Sequence, residues 1–135
     1  MSQVGSTYTV SASTELSFKD AVVRVRDALA AEEFGVLCEI DVHATLKRKL
    51  GVDREPYLIL GACNPPLAHR ALEAEPELGV LLPCNVVVYV QQGQTHVAAV
   101  DAEQMLSIVG NDELAPTATE VRRRLAAVVD RAASE

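Results

Sequence analysis

Two cysteines stand in matching frames, Cys63-Asn64-Pro65 and Pro83-Cys84-Asn85. Each lies where an apolar run meets a proline-bounded turn, a place where a side chain can leave the core and face a ligand. A thiol pair so placed can bind a metal, cycle between dithiol and disulfide, or simply fill space. Cys63 precedes a proline-opened helix, whose unpaired N–H groups favour a thiolate. Asn64 can hold a ligand atom or cap that helix; because Pro66 has no N–H, a capping oxygen can reach only a later amide. Cys84 is in phase with Val86, Val88 and Val90, which gives it a place in a packing row.

Zinc or copper at Cys63 and Cys84 is an alternative that needs a third and a fourth ligand. His69 is the nearest in sequence, but it lies off the apolar stripe of its helix, at the spacing for a surface pair with Glu73. No C-x-x-C spacing occurs, so neither a zinc knuckle nor a thioredoxin-type motif is supported. No metal and no cofactor are expected, no catalytic residue is assigned, and the candidate ligand-binding set is Cys63, Asn64, Cys84 and His69. Gly51 and Gly61 are isolated, so no phosphate loop is present. His43 and His96 belong to a surface helix and to the strand face opposite the core, which leaves no Ser-His-Asp or Cys-His-Asn arrangement. Glu73, Glu75 and Glu77 surround Pro76 as solvated loop charge.

The elements that must position these residues follow from periodicity. Tyr8–Ser13 alternates as a half-buried strand. A helix starts at Ser17, carries Phe18, Val22, Val25 and Leu29 on one stripe, and is expected to stop at Gly35. Val36–Ile40 reads as a second strand with Cys38 as a small core residue. Asp41 caps a short helix with Val42, Leu46 and Leu50 on one face, and Gly51 ends it. Tyr57–Ala62 is apolar on both faces, as a central strand is. Pro65 is expected as cap and Pro66 as first residue of a helix through Ala74, with Leu67, Ala68, Ala71 and Leu72 inward. Val86–Val90 and Thr95–Val100 form a hairpin around Gln91–Gln94. Asp101 caps a helix that Gly110 closes, and a last helix runs from Pro116 to Ala132 with Ala118, Val121, Leu125, Val128 and Ala132 inward.

That order gives an α+β fold: a single, mainly antiparallel five-stranded sheet with helices packed on one face, a β-α-β4-α core with extra short helices. One domain is expected over 1–135, with its ordered core over about 7–133. If strands three and four are antiparallel neighbours, Cys63 and Cys84 meet at one edge of the sheet. The open face would carry Tyr57, Ile59, Val87 and Tyr89, an apolar surface suited to a second copy of the chain.

The 135 residues are 49% hydrophobic and 23% charged, with a net charge of −7, which opposes a duplex nucleic-acid surface. Arg122-Arg123-Arg124 has the right sign but reads as a solvated helix face, with Glu120 as partner of Arg124. No apolar run is long enough to cross a bilayer, and MSQVGSTYTVSAS lacks a basic segment followed by an apolar one. Three cysteines without such a leader point to reduced thiols in the cytoplasm.

Gly61-Ala62-Cys63-Asn64-Pro65, then Leu82-Pro83 before a valine-rich strand, resembles the bacterial and archaeal domain-of-unknown-function family 302. Ile40-Asp41 and Asp101 fit the same pattern, from about Tyr8 to the last helix. The resemblance implies a compact α+β domain of the TATA-binding-protein-like sheet class, often a homodimer, with no established activity. It also implies that the paired cysteines mark a subgroup, since many relatives carry the Asn-Pro and Leu-Pro corners without them. The expected function is a non-enzymatic homodimeric module that binds or senses a small ligand near the two corners. The alternative is a thiol-dependent redox or sulfur-handling protein using Cys63 and Cys84.

Overall fold

A computed structural model describes residues 7–134. The stretch read as lacking a leader begins outside the described residues. Twelve elements follow in order. They are β1 (Thr9–Thr14), α1 (Phe18–Ala31), β2 (Gly35–Asp41), α2 (Val42–Leu50), β3 (Tyr57–Cys63), α3 (Pro65–Ala74), a 3₁₀ helix (Pro76–Leu81), β4 (Cys84–Gln91), β5 (Gln94–Val100), α4 (Ala102–Ser107), a 3₁₀ turn (Asp112–Leu114) and α5 (Ala115–Ala133). The strands form one sheet in the order β1-β5-β4-β3-β2. Every pairing is antiparallel. The α+β architecture read from the sequence is the observed one.

Alternation along each strand decides which face is covered. Leu58, Leu60 and Ala62 of β3, Cys84, Val86 and Val88 of β4, and Val97 and Ala99 of β5 are buried in one cluster with Val25 and Leu29 of α1 and Leu125 and Val128 of α5. α1 and α5 therefore lie across the same face. The caps are those the sequence specifies: Ser17 Oγ accepts from Asp20 N–H at 3.1 Å, and Asp41 Oδ1 from Ala44 N–H at 2.9 Å. Asp101 is buried, and its Oδ1 accepts from the N–H groups of Glu103 and Gln104 at 3.0 and 3.2 Å. Its Oδ2 accepts from Arg122 Nε at 3.0 Å, which ties the start of α4 to α5.

Four local expectations change. Gly35 does not end α1; Glu33 takes the left-handed conformation at φ 67° and Gly35 already belongs to β2. The chain turns two residues early because Phe34 must enter the core, where it is buried. Cys38 is exposed rather than part of the core. An irregularity between Val36 and Cys38 makes Leu37 an extra residue, so Val36 pairs with Ala62 on the covered side while Cys38 pairs with Gly61 and Ile40 with Ile59 on the open side. The cap of α3 is Asn64, with φ −102° and ψ 104°, and Pro65 is its first helical residue. An asparagine supplies the oxygen that a proline lacks, and Asn64, itself before a proline, is already held extended. α2 buries no residue, and Leu50 at its end is exposed.

Candidate functional site

The register of β3 and β4 brings the two corners together. Ala62 is the cross-strand partner of Cys84, so Cys63 is one residue beyond that pair. Both thiols are free. Regular alternation sets Cys63 out of phase with Ala62 and hence with Cys84, yet both cysteines border the same cavity. That cavity, about 320 Å³, lies where the end of the sheet meets α3, the Pro76–Leu81 turn, α4 and α5. Phe34, Leu67, Ala71, Leu78, Met105 and Val121 are among its apolar lining residues.

Cys84 is buried. Loss of hydration pushes its thiol up from 9.0 to about 11, and the neighbouring Cys63 adds to the rise. At neutral pH this sulfur is therefore a protonated, weakly polar wall of the cavity rather than a nucleophile. Asn64 is buried at 6% exposure. Its Oδ1 accepts from Leu67 N–H at 3.3 Å and its main-chain oxygen from Ala68 N–H at 2.9 Å. The capping function explains why a residue with a side-chain oxygen precedes Pro65. Its side-chain nitrogen makes no hydrogen bond to the protein among the described residues.

His69 is exposed and does not border the cavity. No ion pair joins it to Glu73 among the described residues. α3 turns Leu67 and Ala71 inward, and His69 sits between them in sequence on the opposite side. The structure thus gathers Cys63, Asn64 and Cys84 and leaves His69 out. Among the described residues no cluster of three metal-ligating side chains occurs.

Behind Asn64 a second recess is bordered by Glu33, Arg70, Glu120 and Arg124. Glu120 binds Arg123 at 2.5 Å and Arg124 at 2.7 Å. Those bonds hold its carboxyl down at about 2. Arg123 and Arg124 thus form a helix-surface ion network with Glu120, whereas Arg122 is committed to buried Asp101. The open face carries a different feature: Tyr57, Tyr89 and His96 are register neighbours whose rings stack at 5.3 and 5.0 Å, with Arg54 over the Tyr57 ring at 5.0 Å. Sequence reading named Tyr57 and Tyr89 and put His96 on this face, but could not see the stack.

The cavity wall was only partly legible. Leu78 follows an acidic stretch taken for solvated loop, yet it is 1% exposed. Its signal was the apolar Leu78-x-Val80-Leu81-Leu82 run after Pro76, which folds as a 3₁₀ turn with one side inward.

A five-stranded antiparallel sheet with a helical layer, and an apolar cavity at the end of its central strands, defines a small α+β domain. The family model for "Domain of unknown function DUF302" matches residues 8–132, and the chain belongs to that family. A crystal structure of an uncharacterized conserved DUF302 protein from Bacillus stearothermophilus is similar to it, with 30% identity and a TM-score of 0.88. The match covers 94% of this chain and 99% of that one. No curated protein matches. Among the described residues no helix is long and apolar enough to cross a membrane.

Proposed function

We propose that this DUF302 protein is a non-enzymatic small-ligand binding or sensing module of the cytoplasm, acting as one domain and paired with a second copy. The observation that carries the reading is the 320 Å³ apolar cavity bordered by Cys63, Asn64 and Cys84. Concave, mostly apolar space with a few polar groups at one end is the usual form of a small-molecule site. The test is fluorescence titration with 1-aminoanthracene, a neutral probe of suitable size. Saturable binding that Ala68→Phe removes, with the variant still folded, is the expected result. Absence of saturable binding to the native protein defeats the reading.

The second copy is argued from the open sheet face, where Tyr57, Ile59, Val87 and Tyr89 stay half-exposed in the single chain. Sedimentation at micromolar concentration should give twice the chain mass, and Tyr89→Arg should halve it. A monomeric native protein ends that part of the proposal.

A thiol-redox role draws support from both cysteines bordering one cavity. Against it stands the buried Cys84, whose protonated form is favoured up to about 11. Treatment with diamide, which takes two electrons and two protons from a dithiol, decides the matter. A Cys63–Cys84 disulfide formed within minutes in folded protein would replace the binding reading with the redox one.

A further inference from the structure

The cavity is almost wholly apolar, but one buried group on its wall has unused hydrogen-bonding capacity. Asn64 is 6% exposed, and its two oxygens are committed to the first turn of α3, the side-chain one to Leu67 N–H and the main-chain one to Ala68 N–H. A primary amide also carries two N–H donors. Nδ2 donates to no protein group among the described residues, although no fully enclosed side-chain nitrogen or oxygen lacks a partner. The nitrogen therefore reaches open space. Asn64 borders two such spaces, the cavity and the recess of Glu33, Arg70, Glu120 and Arg124.

In the recess two guanidiniums already offer donors. In the cavity the only other polar side chains are the thiols of Cys63 and Cys84 and the hydroxyl of Thr117. A thiol is a weak donor, which leaves Asn64 Nδ2 and the Thr117 hydroxyl; Asn64 is the buried one of the two, whereas Thr117 is half-exposed and open to water.

We propose that the cavity takes a neutral, largely apolar molecule of about bicyclic size carrying one acceptor oxygen, to which Asn64 Nδ2 donates. This rests on the reading of the cavity as a ligand site. Size follows from volume: 320 Å³ is roughly twice the ~150 Å³ that holds benzene in an engineered apolar cavity. Neutrality follows from the lining, since a charge placed among Phe34, Leu67, Leu78 and Val121 would lose its hydration without a counter-ion. A buried donor in a mostly apolar wall selects for a ligand by penalising those that leave it unpaired.

The test compares 2-acetylnaphthalene with 2-ethylnaphthalene, which replaces the carbonyl by a methylene, and with 2-naphthoate, by calorimetry or ligand-observed NMR. The native protein should bind the ketone about fivefold or more tighter than the hydrocarbon, the ratio that one neutral hydrogen bond supplies. Asn64→Asp keeps an oxygen to cap Leu67 N–H but loses the donor, and should bring the ratio to one or below. If that variant does not fold, the native protein still decides. The Asn64 side-chain amide protons must move downfield with the ketone and stay in place with the hydrocarbon. Equal binding of ketone and hydrocarbon overturns the inference and leaves the cavity as a ligand site. Persistence of the preference in Asn64→Asp also overturns it. Tightest binding by 2-naphthoate overturns it in favour of a charged head group at Arg70. Failure of all three probes to bind removes the cavity reading as well.

Discussion

The Cys84 thiol makes the folded state sensitive to alkaline pH in a calculable way. Its folded value is about 11 against 9.0 for an unperturbed thiol, the cause being loss of hydration first and the neighbouring Cys63 second. Below pH 9 both folded and unfolded chains hold the proton, and the burial of a neutral thiol contributes its full stability. As pH rises past 9 the unfolded chain ionises and the folded chain does not, so folding becomes progressively less favourable until the folded thiol also ionises near 11. One pH unit of difference is worth about 1.4 kcal/mol, and integration to pH 11 gives a loss of about 2 kcal/mol from this residue. The assay is urea unfolding of native protein and Cys84→Ala at intervals from pH 7.5 to 11. Lysines and tyrosines titrate in both proteins, so the stability difference between them isolates the thiol. That difference should move by about 2 kcal/mol in favour of the variant over the range. A difference that stays constant refutes the placement of Cys84 in a dry wall. Maleimide labelling at pH 8 offers a kinetic counterpart: exposed Cys38 should react first and Cys84 last.

Other predictions concern the scaffold. A β-carbon at Gly61 would lie 2.5 Å from Cys38 Sγ and 2.8 Å from Pro83 Cγ, so Gly61→Ala should cost about 2 kcal/mol in urea unfolding. Cys38→Ala in the same chain should recover only part of this, because the Pro83 ring cannot rotate away; full recovery would disprove the role of the ring. Asp101→Ala removes the cap of α4 and leaves Arg122 without its 3.0 Å partner, for a loss of about 2 kcal/mol by the same assay. Leu29→Ala, at a residue with 0% exposure between α1 and the sheet, should cost about 3 kcal/mol, and a loss under 1 would contradict the packing of α1.

Much of this fold could be read residue by residue because its local signals agree with its packing. Ser17, Asp41 and Asp101 each cap the helix that follows, and Gln92 and Gly93 take φ 51° and 79° in the hairpin turn where the sequence puts one. The failures share a cause, which is that one strand's phase is set by its neighbour. Nothing within Val36–Ile40 announces that Leu37 is an extra residue; the register against β3 does so, and it carries Cys38 from the core to the open face. Gly35 misled for a similar reason, since the need to bury Phe34 ends α1 before a glycine can.

The site was legible to the same degree and no further. Placing Cys63 and Cys84 together required only that β3 and β4 be antiparallel neighbours, and their register puts Cys84 opposite Ala62. The thiols drew attention because cysteine is chemically versatile, but in the folded chain burial favours the protonated form of Cys84 at neutral pH. Asn64 first looked like the lesser member of the motif. The helix needs only its oxygen, and no capping requirement accounts for the amide nitrogen of a residue that borders an apolar cavity. A serine or an aspartate would cap as well. The part of Asn64 that the fold does not require is the part that can recognise something else.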